Sequence, residues 1–298
     1  MKIFAGVLIW LGGSVASLQA AGFFVPHAAP GMIIGHDLAY VINGHPRQKL
    51  DLYLPNGGTN LPLIIYIHGG AFRTGSKRDQ VPLEYVPLGY AVASVDYRLS
   101  QDAVFPAQIQ DCKAAVRWLR ANAATYRLDS DRFAAWGYSA GGHLAALLGA
   151  CGGVERFDTG DNLRVSSRVQ AVVDYYGPTD FLQIDTHALP SAVPHNPPNS
   201  PESQLIGGPI QENKDKVKAA NPISYVTAEA APFLIFHGDA DPVVPHQQSR
   251  LLADALERAG VPVTFYTVSG SGHGGFKDPK VAALTRAFLA RHLLREGD

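Results

Sequence analysis

The sequence predicts an α/β fold in which a mostly parallel central sheet is covered by helices on both faces. Short continuous runs of apolar residues, which are typical of buried strands, recur along the chain. Segments with helical spacing separate these runs, and polar or glycine-rich turns follow them. Because ligands bind beyond the carboxyl ends of parallel strands, the residues that follow each run are candidate site residues.

The chain has 298 residues, of which 46% are hydrophobic and 17% are charged, as in ordinary globular proteins. This length suits one large α/β domain or two small ones, and the alternation of strands and helices predicts a single domain over residues 23–298. The formal net charge is −1 and no long basic run occurs, which disfavours nucleic-acid binding. The sequence does not specify the oligomeric state.

Residues 1–22 have the pattern of a cleaved signal peptide. Lys2 provides a positive charge, residues 3–18 are largely apolar, and small residues follow, with cleavage expected near residues 20–22. The alternative is an uncleaved membrane anchor. No other segment approaches the length of a membrane span, so we expect a secreted or periplasmic protein with no membrane contact beyond this segment.

Two cysteines, Cys112 and Cys151, are expected on the helices before and after the strand that leads to Ser139. Export would permit a disulfide between them, whereas two buried free thiols are the other interpretation. Their spacing alone does not decide between the two.

The first part of the chain is expected to contain four strands and a helix. The strands are expected at residues 37–42, 49–54, 61–67 and 90–98. Asn43-Gly44 is a strong hairpin signal between the first two. The helix opens at Phe105-Pro106, since proline suits a first turn. Its apolar residues have helical spacing and are Ile109, Cys112, Val116 and Leu119.

The central feature is the run Gly137-Tyr138-Ser139-Ala140-Gly141, which reads Gly-x-Ser-x-Gly. An apolar strand precedes it at residues 132–136, and an apolar helix follows at 143–148. A serine on such a strand-to-helix turn is held in a strained backbone conformation with its hydroxyl exposed. The helix N-terminus that follows favours a developing negative charge. The alternative is a tight turn that contains a serine by chance.

The remaining elements continue the alternation after this helix. Strands are expected at residues 169–175, 232–236 and 261–268, and helices at 246–259 and 281–294. Gly260 is a conventional helix end. Residues 179–220 lack periodicity and are rich in proline, so we expect an irregular, lid-like excursion over the active-site edge rather than a separate domain. Long ordered loops of this kind often shape binding sites.

Ser139, Asp241 and His273 are the candidate catalytic residues, and each follows an expected strand. A serine hydroxyl needs a base to take its proton, and a histidine base needs a carboxylate to orient it. The order serine, aspartate, histidine is the one expected after a Gly-x-Ser-x-Gly turn. Asp239, which we expect to shape its turn, and Asp180 are the alternative acids. His68 and His237 also end strands, and their simplest interpretation is hydrogen bonding to nearby backbone.

The backbone amides that would bind an oxyanion are expected at two places. The first is the amide of Ala140, directly after the candidate nucleophile. The others belong to the loop after the 61–67 strand, where Gly70 and Ala71 would donate and Gly69 would allow the turn. The alternative is a plain glycine turn.

Other site chemistries are disfavoured by the residues present. The run 70–75 has the glycine spacing of a phosphate loop, but Ser76 stands where that loop needs a lysine, and Lys77 where it needs a hydroxyl. No histidine or cysteine motif has the spacing of a metal site. We therefore expect no cofactor and no metal.

The motifs together resemble the α/β-hydrolase family across nearly the whole mature chain. The runs His68-Gly69-Gly70-Ala71-Phe72, Asp96-Tyr97-Arg98-Leu99 and Gly137-Tyr138-Ser139-Ala140-Gly141-Gly142 resemble the hormone-sensitive-lipase-like esterases. The Ala71 ending and the run Gly177-Pro178-Thr179-Asp180-Phe181 are closer to the bifunctional feruloyl and acetyl-xylan esterases. The resemblance implies an α/β-hydrolase fold and ester hydrolysis through an acyl-enzyme without a cofactor. No long N-terminal cap is apparent, so residues 179–220 are expected to select the substrate.

The resulting hypothesis is an exported serine esterase that acts on small-molecule or polysaccharide esters with small or aromatic acyl groups. Four aromatic residues are candidates for holding an aromatic acyl group, or for core packing: Phe72, Tyr138, Tyr176 and Phe276. The alternatives are a peptidase or formamidase on the same fold, a catalytically inactive binding protein, and a carrier with an apolar pocket.

Overall fold

The computed structural model describes residues 32–295, and the expected signal peptide lies outside them. Eight strands form one sheet in the order β1-β2-β4-β3-β5-β6-β7-β8. They are β1 Met32–Ala39, β2 Lys49–Pro55, β3 Leu61–Ile67, β4 Ala91–Val95, β5 Leu128–Tyr138, β6 Ala171–Tyr175, β7 Phe233–Gly238 and β8 Val263–Val268. β1 and β2 pair antiparallel with their neighbours, and all the other pairs are parallel.

Within the described residues, six α-helices and five short 3-10 segments lie between or after the strands. The α-helices are α1 Ala107–Ala121, α2 Ala140–Ala150, α3 Pro201–Ile206, α4 Lys214–Ala220, α5 Gln247–Arg258 and α6 Pro279–Leu293. Buried residues of α1, α2 and α5 pack on one face of the sheet, and α6 and the 3-10 segment Leu83–Leu88 pack on the other. The predicted α/β fold with helices on both faces is confirmed.

The central strand β3 shows why its sequence is apolar without alternation. Every one of its residues is buried. Leu63 and Ile65 contribute to the core on one face, whereas Ile64 and Tyr66 contribute to the core on the other. A strand covered on both faces must be apolar at successive positions. Because β3, β5, β6, β7 and β8 pair in parallel, their carboxyl ends meet at one edge of the sheet.

The first hairpin differs from the expected one. Its first strand is Met32–Ala39 rather than 37–42, and nine residues connect it to β2. Asp37 has a φ of 54° where the pairing shifts register, and its backbone amide donates to the Asp51 carboxylate instead of to the neighbouring strand's backbone. Ile42 lies beyond the sheet and is 76% exposed. The Asn-Gly turn exists, but it lies within a longer loop.

Residues 179–220 are only partly irregular, so the expectation of a wholly irregular excursion is wrong for α3 and α4. Pro201 occupies the first turn of α3, and the Ser200 side chain caps it by accepting from the Ser203 amide. Proline fits this position because its missing N–H would have had no helical partner. The prolines of this segment predicted a loop, although one of them begins a helix.

Cys112 lies on α1 and Cys151 forms the C-cap of α2, and both are buried free thiols. Burial raises the pKa of the Cys151 thiol to about 12, so it is an inert core residue at neutral pH. Across residues 32–295, no helix is both long enough and apolar enough to cross a bilayer.

Candidate active site

The site is centred on the turn between β5 and α2. Ser139 occupies this turn with φ 55° and ψ −121°, a conformation that is unfavourable for a residue with a side chain. A side chain at Gly137 would collide with the Gly141 carbonyl, and one at Gly141 would collide with the Ile67 carbonyl. Glycine at both positions is therefore required by the close approach of strand and helix.

Ser139, His273 and Asp241 form a hydrogen-bonded chain. The Ser139 Oγ lies 3.0 Å from the His273 Nε2, and the His273 Nδ1 lies 2.7 Å from the Asp241 Oδ2. Since an ionised carboxylate only accepts, Nδ1–H donates to Asp241 and Nε2 is left to accept from the serine hydroxyl. The structure thus brings the three residues together from the ends of β5, β7 and β8.

Asp241 is 2% exposed, yet its carboxylate has four polar contacts. Its Oδ1 accepts from the amides of Val243 at 2.8 Å and Val244 at 3.0 Å, and its Oδ2 lies 3.2 Å from the His237 Nε2. Burial alone would raise the pKa of Asp241, but the hydrogen bonds from His237 and His273 outweigh it and hold the pKa well below its usual value. Asp241 is therefore ionised at neutral pH.

The expected anion-binding amides surround the serine. Gly69, Gly70 and Ala71 line the same cavity as Ser139, with left-handed φ values of 111° at Gly70 and 55° at Ala71. Among the described residues, no group accepts a hydrogen bond from the amide of Gly70 or Ala71. Ala140 is the first residue of α2 and is buried beside Ser139. These amides form a set of donors that is available to an anion.

The two alternative acids accept from turn amides instead of from His273. Asp239 accepts from the Gly270 amide at 2.6 Å, as expected of a turn residue, and Asp180 accepts from the Leu182 amide. His68 is fully buried, and its ring stacks on that of Tyr97 with 4.4 Å between centroids. Its role is therefore structural, whereas His237 contacts Asp241, a contact that the sequence did not indicate.

The neighbouring Lys77 does not supply the lysine that a phosphate loop would need. Lys77 is 4% exposed, and its Nζ lies 2.7 Å from Asp51 and 3.0 Å from Asp37. A lysine held by two carboxylates cannot also reach a phosphate in the adjoining cavity.

A cavity of about 580 Å³ lies over the serine. Besides the site residues, its walls include six residues that no sequence motif indicated as site residues: Tyr66, Thr74, Gly75, Asp79, Gln80 and Val243. No residue of the segment 179–220, all of which the structure describes, lines this cavity. That segment instead contacts the outer side of the glycine loop, where the Asn199 carbonyl accepts from Arg73. The expectation that this segment selects the substrate therefore finds no support in the lining of this cavity, and it stays a prediction.

Of the four aromatic candidates, Tyr138 and Tyr176 line the cavity over Ser139. Phe276 lines a neighbouring cavity, and Phe72 is a core residue with 1% exposure. The sequence pattern did not indicate Tyr66 as a site residue, because it lies within a continuous apolar run that predicts only a buried strand.

Comparison with known proteins places these residues in a family context. The family model described as BD-FAE matches residues 50–256, more than half of the chain. Esterase LipQ of Mycobacterium tuberculosis (strain ATCC 25618 / H37Rv) is 35% identical over 223 residues, covering 74% of this chain and 51% of LipQ. The probable carboxylic ester hydrolase LipM of the same strain is 33% identical over 253 residues, covering 82% of this chain and 56% of LipM. The chain therefore spans about half the length of these relatives.

Solved structures of esterases are also similar to this chain. A truncated form of a carbohydrate esterase from gut microbiota superposes with a TM-score of 0.81 and 32% identity, covering 92% of this chain and 98% of that one. A bifunctional GH43-CE protein of Bacteroides eggerthii has a TM-score of 0.79 and 34% identity, covering 87% of this chain and 38% of that one.

Proposed function

Since the chain belongs to the BD-FAE family of α/β-hydrolase esterases, we propose that it is a serine carboxylesterase. The observation that carries the proposal is the 3.0 Å contact between the Ser139 Oγ and the His273 Nε2. A hydroxyl hydrogen-bonded to an imidazole that is itself oriented by a buried carboxylate is an activated nucleophile.

In the proposed reaction, the Ser139 oxygen attacks the ester carbonyl carbon while His273 Nε2 takes the hydroxyl proton. His273 then donates this proton to the departing alkoxide, which leaves as the alcohol, and an acyl-serine remains. Water then attacks the acyl carbon while the same imidazole takes a proton from it. The imidazole returns this proton to the departing Ser139 oxygen, and the acid is released. Asp241 orients His273 and stabilises its positive charge during both steps.

The negative oxygen of each tetrahedral intermediate would be bound by backbone amides. The amides of Ala140, Gly70 and Ala71 are proposed for this role because they are adjacent to Ser139 and two of them have no partner among the described residues. Gly69 supports the turn, since a side chain there would lie 2.9 Å from the Tyr138 carbonyl. Donors that are already in place need no reorganisation during the reaction.

We propose esters of small or aromatic acids as substrates, including esters on carbohydrates. The carbohydrate part is supported by the names of two structural neighbours. The aromatic part is supported by the rings of Tyr138 and Tyr176 at the cavity wall.

Export to the periplasm or the medium is proposed from residues 1–22 alone. N-terminal sequencing of the mature protein from fractionated cells would test it, with a chain starting near residue 22 outside the cytoplasm as the expected result. A full-length chain retained in the cytoplasm would contradict the proposal.

The catalytic proposal is tested by labelling purified protein with a fluorophosphonate and by assaying ester hydrolysis. Ser139→Ala should lose both label and turnover, whereas Ser224→Ala, at a serine that bonds to the Lys218 carbonyl, should keep both. Labelling of the Ser139→Ala protein at the wild-type level would overturn the assignment.

Assays with acetylated xylan, methyl ferulate and nitrophenyl esters of short and long chain would define the substrate range. A wild type that turned over matched amides faster than esters would indicate a peptidase or formamidase, and an inert wild type a binding protein.

A further inference from the structure

Three tyrosines form one wall of the cavity over Ser139. Tyr66 lies on β3, Tyr138 is the last residue of β5, and Tyr176 follows β6. The ring centroids of Tyr66 and Tyr138 are 5.9 Å apart, and those of Tyr138 and Tyr176 are 6.0 Å apart. The three rings therefore act as one aromatic surface beside the reactive serine.

No hydrogen bond joins the hydroxyl of Tyr66, Tyr138 or Tyr176 to another residue within 32–295, and none of the three oxygens is a fully buried atom, so they face the open cavity. By contrast, the Tyr97 hydroxyl donates to the His68 carbonyl at 3.0 Å and the Tyr175 hydroxyl lies 3.0 Å from Thr285. Tyr66 is 1% exposed and Tyr176 is 7% exposed. The rings are therefore largely buried while their hydroxyls point to the cavity, where a substrate atom can reach them.

The three tyrosine hydroxyls are protonated and can therefore act as hydrogen-bond donors. Burial raises the pKa of Tyr66, Tyr138 and Tyr176 well above the ordinary tyrosine value. Each hydroxyl therefore keeps its proton at neutral pH and can donate it to an acceptor oxygen.

Tyr176 is held at the site by an unfavourable backbone. Its φ is 45°, and its ring centroid lies 4.5 Å from that of His273. A side chain at Gly274 would lie 2.8 Å from the Tyr176 hydroxyl, so glycine at that position leaves room for this oxygen. Strain of this kind persists where surrounding contacts enforce it, and it concentrates at functional sites.

A second cavity of about 420 Å³ adjoins the first, and the two share Gln80, Tyr138 and Tyr176 as lining residues. The side chains with a permanent charge that line the two cavities are all acidic: Asp79, Glu84 and Asp278. A substrate part that extends past the tyrosines is therefore expected to be uncharged, since an anion would meet like charge.

We propose that the hydroxyls of Tyr66, Tyr138 and Tyr176 bind an oxygen atom of the substrate other than the two ester oxygens. The wall selects uncharged esters that carry an ether or hydroxyl oxygen over hydrocarbon esters of the same shape. The selection arises because a bound hydrocarbon ester would shield the three hydroxyls from water and offer them no acceptor, whereas the oxygenated ester can accept from them. This inference rests on the proposed esterase function and specifies the chemical class of its substrate.

The test compares isosteric ester pairs that differ by replacement of one CH₂ with oxygen. Cyclohexylmethyl acetate and tetrahydropyranylmethyl acetate place the difference in the alcohol, and nitrophenyl pentanoate and nitrophenyl methoxypropanoate place it in the acid. The kcat/KM ratio of each pair is measured for wild type and for Tyr66→Phe, Tyr138→Phe and Tyr176→Phe. Tyr225→Phe is the control, since its hydroxyl donates to the Ala219 carbonyl outside both cavities.

We expect Tyr176→Phe to lower the ratio of kcat/KM for the oxygenated ester to kcat/KM for the hydrocarbon ester by about tenfold in one of the pairs. This is the effect of losing one hydrogen bond. At least one of the other two variants should lower it in the same pair, and the control should not. Equal effects on both members of every pair would overturn the inference and leave the esterase function intact. A wild type that hydrolysed none of the four esters, and whose Ser139 was not labelled by a fluorophosphonate, would instead overturn the proposed function.

Discussion

The His237 Nε2 lies 3.2 Å from the Asp241 Oδ2, the same oxygen that His273 contacts at 2.7 Å. The same Nε2 lies 2.9 Å from the Val244 carbonyl, an acceptor, so it carries a proton. The Ser249 hydroxyl lies 2.7 Å from the other ring nitrogen. His237 is fully buried, and it therefore acts on the site only by positioning Asp241.

The first prediction concerns this positioning. His237→Leu should lower kcat about tenfold or more with little change in KM, because it removes a hydrogen bond to a charged group that does not touch substrate. It should also raise the pKa of Asp241, since the lost bond favoured the ionised form. His237→Gln, whose amide can still donate, should retain most of the activity. The measurements are kcat and KM across pH, with thermal unfolding of each variant.

A purely structural role would appear differently in this experiment. Leu and Gln variants that lost activity in proportion to their loss of thermal stability, with an unchanged pH profile, would contradict the positioning role.

The second prediction concerns the backbone of Ser139. Both Ser139→Ala and Ser139→Gly remove the hydroxyl, but only glycine tolerates φ 55° and ψ −121° without strain. The glycine variant should therefore be more stable than the alanine variant by about 1 kcal/mol after its larger chain entropy is included. Chemical unfolding followed by circular dichroism measures the difference. An alanine variant of equal or greater stability would show that the turn is not strained.

The third prediction concerns Asp174 on β6, which is fully buried beneath α2. Its Oδ1 accepts from the Gly177 amide at 3.0 Å, and its Oδ2 has no hydrogen-bond partner among the described residues. Burial raises its pKa from 3.8 to about 7, although the Gly177 amide acts in the opposite direction. Because the folded state holds this proton more tightly than the unfolded state, stability should fall as pH rises from about 4 to 7.

Asp174→Asn removes the titration and keeps an oxygen that can accept from Gly177. The loss of unfolding free energy between pH 5 and pH 8 should be smaller by a few kcal/mol in this variant than in wild type. Urea unfolding at the two pH values tests this. Parallel changes in both proteins would mean that the buried carboxyl does not titrate in this range.

The fourth prediction concerns a buried ion pair within residues 179–220. The His195 Nδ1 lies 2.9 Å from the Glu202 Oε2, and the two residues are 5% and 4% exposed. Burial alone would lower the pKa of His195, but the Glu202 carboxylate outweighs it and raises the pKa. The pair therefore stabilises the fold below the ordinary histidine pKa, and this contribution is lost as pH rises through the raised value.

Glu202→Gln should consequently destabilise the protein more at pH 5.5 than at pH 9. The free energy of unfolding at both pH values is the measurement, with Glu155→Gln at an exposed glutamate as the control. An equal loss at both pH values would indicate that His195 is uncharged in the folded protein at pH 5.5.

The sequence predicted the sheet, the alternation of strands and helices outside residues 179–220, and the approach of Asp241 and His273 to Ser139. These features depend on local signals: apolar runs such as 61–67, the glycines on either side of Ser139, and polar residues at strand ends. Convergence of Ser139, Asp241 and His273 followed from topology, since parallel strands present their carboxyl ends at one edge. The helix at Pro201 was missed because proline signals both a helix start and a loop.

Sequence alone therefore determined the fold class and predicted the hydrogen-bonded chain of serine, histidine and aspartate. Tertiary structure alone decided which residues surround that chain: Tyr66 at the cavity wall, His237 on Asp241, and the absence of residues 179–220 from the lining. The physical reason is that strand periodicity identifies a buried side chain but not its neighbours. Those neighbours depend on register, on sheet twist and on single backbone conformations such as that of Tyr176, which no local pattern encodes.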